Sequence, residues 1–240
     1  MQMKLFYDSN ISGDFHVLNE EESKHCSKVL RLKIGDELFL TDGCGNLYKC
    51  ELAELHQKKT ILRILKKIAD YGKRDYNLHL AVAPTKNNDR FEWFVEKSTE
   101  IGIDEITPVI CKNSERRIIK IDRLNRITEA AMKQSYKAYH PKINEQIDLL
   151  EFLKQDCNYE QKFIAYCEEH HVKAYLGDVL KPNGSVLVLI GPEGDFSLQE
   201  IDAAKAAGFV MVTLGDSRLR TETAVVVACT LVSVINGMNK

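Results

Sequence analysis

The sequence predicts an α/β protein with a largely parallel sheet in its C-terminal part and a small β-rich N-terminal part. Three observations carry this prediction. From Leu78 onward, short apolar runs alternate with helical stripes. Before that point the chain offers short strand-like segments around a strong turn signal. The stretch from Val186 to Ile235 reads as two successive strand, loop and helix units, with polar loops at both strand exits.

In the N-terminal part, Leu5 to Tyr7, Glu37 to Thr41, Leu47 to Leu52 and Thr60 to Leu65 are the strand candidates, and Asp42-Gly43-Cys44-Gly45-Asn46 is the turn. One short helix interrupts them, with Asn19 as expected N-cap and Glu22 reaching back to complete a capping box. Lys24, His25, Lys28, Arg31 and Lys33 put positive charge on this helix and its exit. Such a face is either solvated surface or a phosphate-contacting patch for RNA, and the residue types admit both. Tyr71-Gly72-Lys73-Arg74-Asp75, polar and glycine-containing between two strand signals, is the expected boundary, dividing the chain into 1–72 and 73–240.

Past the boundary, Leu78 to Ala83 reads as a strand, Arg90 to Ile101 as a helix closed by Gly102, and Ile106 to Ile110 as the next strand. A helix near Arg123 to Ser135, a shorter one from Leu149 to Leu153 and a strand at Phe163 to Cys167 follow. Val186 to Ile190 is apolar with little alternation, which suits a strand covered on both faces. Ser197 and Glu200 form a capping box for a helix with Leu198, Ile201 and Ala204 on its apolar stripe, ended by Gly208. Val210 to Leu214 repeats the strand, Gly215 to Arg220 is the second loop, and Thr221 is the expected cap of a nearly all-apolar helix through Ile235. That helix should be buried on most sides. The two loops are expected side by side, making one ligand site.

The 240 residues suffice for one large domain or two smaller ones, and the formal charge of -2 is not that of a general nucleic-acid binder, although local basic patches can still bind. With no leader pattern and no apolar run of membrane-spanning length, the expected location is the cytoplasm. The seven cysteines include no CxxC pair and read as reduced thiols. His170 and His171 lack companion ligands at metal spacing, and nothing in the sequence calls for a metal. There is no G-x-G-x-x-G after the first strand of the second part and no G-x-x-x-x-G-K-[ST], so ordinary dinucleotide binding and nucleotide hydrolysis are unsupported. Gly191-Pro192-Glu193-Gly194 is too acidic to cradle polyphosphate. It is either a tight turn or a seat for a neutral or cationic ligand. Arg218 and Arg220 stand before Thr221, Glu222 and Thr223 at a strand exit, where capping and a salt bridge would account for them. Carboxyl ends of strands in α/β domains are also where ligands bind.

Taken together, GPEGDF at 191–196 and LGDSRLRTETA at 214–224 strongly resemble the bacterial 16S ribosomal RNA uridine N3-methyltransferases, a family of the SPOUT superfamily. VEKSTEIGI at Val95 to Ile103, the TKNNDRFEWF before it, KQS at Lys133 to Ser135 and HCSKVLRLKIGD at His25 to Asp36 extend the likeness over most of both parts. The resemblance implies a PUA-like β-barrel over 1–72 and a SPOUT-like methyltransferase domain with a deep trefoil knot over 73–240. It implies S-adenosylmethionine as cofactor, held by Ile190, Gly191, Pro192, Glu193, Gly194, Leu214, Gly215, Ser217, Arg218, Leu219 and Thr223. Arg220 would stabilise charge on the uracil and Glu222 would orient it or a water. Lys24, His25, Lys28 and Arg31 would contact 16S rRNA in the assembled small subunit, no metal would be required, and the C-terminal domains would pair as a homodimer, with Arg90 or Lys97 assisting across the interface. From the residues alone, burial of the last helix within one monomer is the simpler expectation, and the resemblance reverses it.

The chain departs from the family pattern in places. Asp195 replaces a commoner glycine, Ser217 stands at the usual arginine position and Arg218 at the usual aliphatic one. Tyr136-Lys137 replaces Gly-Arg, and Lys24-His25 the usual paired histidines, so Lys137 keeps the charge without the rigid fork. Two other functions remain compatible with the residues: a noncatalytic rRNA-binding or ribosome-assembly protein, and an rRNA ribose 2′-O-methyltransferase.

Overall fold

The structure, a computed structural model, describes residues 3–155, 158–166 and 174–238. It forms two compact units: the residues up to Lys73 with Met132–His140, and Arg74–Ala131 with the chain from Pro141 onward.

The first unit begins with β1 (Leu5–Tyr7), β2 (Phe15–Val17) and α1 (Glu20–Lys24), followed by a π-helical turn at His25–Val29. Then come β3 (Glu37–Thr41), β4 (Leu47–Glu54) and β5 (Ile61–Ile68). The sheet order is β1-β3-β4-β5-β2, with β1 parallel to β3 and the other pairs antiparallel. Phe6, Leu38, Leu40, Cys50, Leu52 and Leu62 fill its core. The sequence reading missed β2 because its pattern is inverted. Phe15 is 58% exposed and Val17 is also outward, while His16 points inward beside Asp8. Asn19 caps α1 by accepting from the Glu22 amide at 2.9 Å, as expected. Glu22 does not close a capping box. Its buried carboxylate accepts from Lys133 Nζ at 2.6 Å instead, because a charge taken out of water needs a charged partner more than a helix needs a second cap. The segment carrying Lys133 also closes on the Asp42 to Asn46 turn. Cys44 bridges to Tyr139, the Gly45 amide donates to the Ala138 carbonyl and the His140 amide to the Gly43 carbonyl, each at 2.8 Å.

The second unit runs β6 (Tyr76–Val82), α2 (Asn88–Ile101), β7 (Glu105–Ile110), α3 (Ile121–Gln134), β8 (Lys142–Ile143), β9 (Ile147–Asp148) and α4 (Leu149–Lys154). It continues with β10 (Gln161–Ala165), β11 (Ala174–Tyr175), α5 (Leu176–Val179), β12 (Gly184–Ile190), α6 (Leu198–Ala206), β13 (Val210–Thr213) and α7 (Thr221–Gly237). The sheet is parallel throughout, in the order β11-β13-β10-β12-β6-β7-β8. Leu78, Leu80, Val186 and Val188 face a layer containing Phe91 and Phe94 of α2 and Val225 and Ala228 of α7. Ala81, Leu187 and Leu189 face the opposite layer, with Phe152 of α4 and Ile201 and Ala204 of α6. Burial on both faces explains why these strands read as unbroken apolar runs.

β10 lies between β12 and β13 and pairs with both, so the two loops leave strands that are not neighbours. Strand order is a long-range choice that no local pattern encodes. Thr221 is not the cap of α7: Arg220 occupies the N-cap position without a side-chain cap bond, since the Thr221 hydroxyl is engaged elsewhere. Along α7, Val225, Ala228, Cys229 and Val232 are buried against the sheet and α2, and Val234 is 49% exposed.

Candidate active site

The first loop leaves β12 at Ile190, whose carbonyl accepts from the Ala83 amide at 2.9 Å. A side chain at Gly191 would put its Cβ 2.9 Å from the Phe196 ring, so glycine is required for the chain to pass there. Pro192 starts a tight turn, its carbonyl accepting from the Asp195 amide at 2.9 Å. The Glu193 carboxylate accepts from the Lys86 amide at 3.0 Å, and Asn113 Nδ2 donates to the Gly194 and Asp195 carbonyls, both at 3.0 Å. Asp195 sits at φ 59°, a left-handed conformation that aspartate tolerates by bonding locally. Here its Oδ1 accepts from the Phe196 amide at 2.8 Å. This is a conformation that glycine adopts most easily. Ser197 and Glu200 form the expected capping box, and buried Glu200 also accepts from the Lys112 amide at 2.7 Å.

The second loop opens with Leu214 half-buried and Gly215 at φ 141°, with no atom within 4 Å of a would-be Cβ. The Thr213 hydroxyl donates to the Gly215 carbonyl at 2.7 Å and steadies this conformation. Ser217 and Arg218 are exposed, Leu219 is half-buried and Arg220 is exposed. The Thr221 hydroxyl then donates to the Gly191 carbonyl at 3.0 Å, joining the end of the second loop to the start of the first. Glu222, 8% exposed in the first turn of α7, has Oε1 3.6 Å from Arg90 Nε of α2. Its Oε2 is buried with no hydrogen-bond partner among the described residues. The helix N-terminus favours the negative charge at this position. Thr223 points to solvent. Lys97, the other residue considered for help across an interface, bonds to Glu96 and Glu100 at 2.7 and 2.9 Å.

The basic residues of the first unit divide into two kinds. Lys24 is paired with Glu20 at 2.6 Å, and His25 Nδ1 lies 3.5 Å from Glu22. Lys28 and Arg31 are exposed, and neither faces a carboxylate among the described residues. Arg31 holds φ 51°, a strained backbone for a long cationic side chain just after the π turn. His170, His171, Cys157 and Cys167 lie outside the described residues. Among those described, no group of three His, Cys, Asp or Glu is placed to hold a metal. Sequence reasoning missed Asn113 and Lys86, which tie the first loop to the ends of β7 and β6. Their position just past two strand ends was the available signal.

Ligand-type loops at the carboxyl ends of parallel strands, on a chain whose residues 18–65 match the RNA methyltransferase PUA domain, define an α/β protein of the RNA-directed class. Residues 73–233 match the RNA methyltransferase domain, and the chain belongs to that family. Its fold superimposes on a probable rRNA-methyltransferase from Porphyromonas gingivalis with a TM-score of 0.92 and 38% identity, covering 99% of this chain and all of that one. The ribosomal RNA small subunit methyltransferase E of Neisseria gonorrhoeae, solved with S-adenosyl methionine bound, aligns with a TM-score of 0.84 and 28% identity over 95% of this chain and 96% of that one. The protein of the same name from Mesomycoplasma hyopneumoniae is 30% identical over 93% of this chain and 96% of its own length.

Proposed function

We propose that the protein transfers the methyl group of S-adenosylmethionine to N3 of a uridine in 16S rRNA of the small ribosomal subunit. Family membership and the names of its relatives support this. The single observation that carries it is the Thr221 to Gly191 bond, which draws both loops to one helix start.

The residues fit the cofactor. Gly215 has open space where a Cβ would stand, so a ligand can approach the backbone there, whereas at Gly191 and Gly194 the Phe196 ring and the Asn113 side chain fill that space at 2.9 and 3.1 Å and the glycines let the first loop close tightly. Ile190, Gly191, Pro192, Glu193 and Gly194 from the first loop would hold it with Leu214, Gly215, Ser217, Arg218 and Leu219 from the second, and with Thr223. When bound, the cofactor supplies a methyl group activated on a positively charged sulfur. Glu193 and Glu222 bring negative charge toward such a ligand.

The uracil N3 proton must leave as the new bond forms. Arg220, exposed at the start of α7, is assigned to stabilise the charge that develops on a uracil carbonyl oxygen. Glu222 is the orienting group. Held against Arg90, it keeps a negative side chain fixed beside the loop, with its second oxygen buried and unpartnered among the described residues.

In this reading residues 1–72 form a PUA-like barrel that carries Lys24, His25, Lys28 and Arg31 to the RNA, and the segment around Ala138 completes it. Residues 73–240 form a knotted methyltransferase domain. The chain crosses from β12 past β10 to β13 and then returns to Gly191, a path consistent with a knot. The acceptor is the assembled small subunit, so the protein works in the cytoplasm. Two copies pair through the C-terminal unit, where Trp93, Val234 and Met238 offer exposed apolar surface.

The test is methyl transfer to small subunits and to naked 16S rRNA lacking the modification, followed by nucleoside analysis. 3-Methyluridine is expected. A ribose-methylated nucleoside would replace the reading with 2′-O-methylation, and cofactor binding without transfer to either substrate would replace it with a noncatalytic ribosome-assembly role.

A further inference from the structure

Between β7 and α3, and on into the first turns of α3, the chain carries Lys112, Arg116, Arg117, Lys120, Arg123 and Arg126 against only Glu115 and Asp122. The segment is built rather than loose. Buried Ser114 accepts from the Cys111 amide at 3.0 Å, and the Gln146 side chain bonds the Arg117 carbonyl at 2.7 Å and the Ile119 amide at 2.8 Å. Lys86, Glu115, Arg116, Arg117 and Ile118 line an open cavity of about 300 Å³.

The partners of the arginines distinguish this place. Arg63, Arg74, Arg90 and Arg123 each face a carboxylate. Arg116 instead donates from Nε and Nη2 to the Lys86 carbonyl, both at 3.3 Å, and Arg117 donates from Nη2 to the Lys112 carbonyl at 3.4 Å. Neutral acceptors orient both guanidinium groups without cancelling their charge. The neighbouring acid, Glu115, is instead 2.9 Å from Lys86. An oriented pair of uncancelled guanidinium groups beside an exposed isoleucine is suited to a phosphodiester backbone, with apolar contact to a sugar.

We propose that Lys86, Arg116 and Arg117 form a second RNA-contacting site, in the C-terminal unit, which grips backbone phosphates flanking the target nucleotide. The location favours this use. The Lys86 amide is bonded to Glu193, and Asn113, three residues before Arg116, is bonded to Gly194 and Asp195, so a phosphate held here is registered against the first loop. The site rests on the reading that RNA is the substrate, and it contributes position rather than sequence choice.

Binding of a 16S rRNA transcript, measured over a salt series without turnover, tests it. R116Q/R117Q should weaken binding on the order of tenfold and flatten the slope of log K against log salt by about 0.7 for each phosphate no longer neutralised. E115Q, which frees Lys86, should tighten binding, and the S-adenosylmethionine affinity of both variants should stay at the wild-type level. Wild-type affinity and slope in R116Q/R117Q would overturn the site. Loss of cofactor affinity would do so too, since it would assign the arginines to the cofactor carboxylate. Should the double variant fold poorly by circular dichroism, R117Q alone, which gives up one long hydrogen bond, decides with E115Q. A wild-type protein whose RNA binding depends on these arginines but which transfers no methyl group would remove the proposed function and leave this site standing. Full transfer with unaltered RNA binding in R116Q/R117Q would do the reverse.

Discussion

The hydroxyl of Thr221 donates a 3.0 Å hydrogen bond to the carbonyl of Gly191, tying the first turn of α7 to the exit of β12. No backbone ladder joins these two points, so this side chain keeps the second loop against the first. T221V preserves shape and removes the donor. The expected result is a melting temperature lowered by a few degrees, the cost of about 1–2 kcal/mol for an unmade bond at a part-buried carbonyl, together with cofactor affinity lowered about tenfold as the loops separate. Calorimetric titration with S-adenosylmethionine checks it, and equal affinity would mean the loops hold their places without the bond.

Glu222 is a buried carboxylate with one cation at 3.6 Å and one unpartnered oxygen. Such a group costs stability, which is tolerated where function needs it. E222Q should therefore melt at or above the wild-type temperature while its turnover falls on the order of 100-fold through misplacement of the reacting groups. A variant with normal turnover would make the Arg90 to Glu222 pair a packing feature only.

Acid should loosen the second unit through His79. Burial pushes this imidazole down to about 4, outweighing the opposite pull of Glu105 and helped by Lys142. One proton arrangement satisfies its neighbours: Nδ1 donates to the Tyr159 hydroxyl at 2.8 Å, and Nε2 accepts from Thr107 at 2.7 Å. Below the ordinary histidine range the unfolded chain takes up a proton that the folded one refuses, so stability falls between about pH 6.5 and pH 4, on the order of 3 kcal/mol in all. Glu105 acts in the same direction at lower pH. Its burial would raise it, but the Asn144 amide, His79 and Lys142 hold it below the usual range, so its contribution is lost as it protonates. Urea unfolding at pH 7, 6 and 5 should show the decline, and H79N should flatten it. A wild-type curve as flat as that of H79N would contradict the account.

In the N-terminal unit, Lys28 and Arg31 face no carboxylate among the described residues, whereas Lys24 is paired with Glu20. K28A/R31A should weaken 16S rRNA binding and flatten its salt slope by about 1.4 for two phosphates, while K24A does much less. Cofactor affinity should be unchanged in both. Equal effects of K24A and K28A/R31A would show that the ion pair does not mask Lys24.

On the second unit, Trp93 of α2 and Val234 of α7 are 46% and 49% exposed. Placing charge there with W93E/V234E should convert a dimer to monomers in light scattering and abolish most methyl transfer. A wild-type protein that is monomeric at assay concentration with full turnover would reject pairing through this face.

The sequence by itself determined most elements and their ends, because those depend on near neighbours. The Ser197 to Glu200 capping box, the Asn19 cap, the Gly102 stop and the apolar runs of β6 and β12 are all written within a few residues of where they act. Its motifs also pointed to the family. The tertiary structure alone decided that β10 separates β12 from β13, that the segment around Ala138 joins the first unit, and that Glu22 and Glu222 find Lys133 and Arg90. β2 escaped the sequence reading because its apolar residues face outward. Each of these choices pairs groups far apart along the chain, where burial and charge compensation act through space and local periodicity leaves no trace.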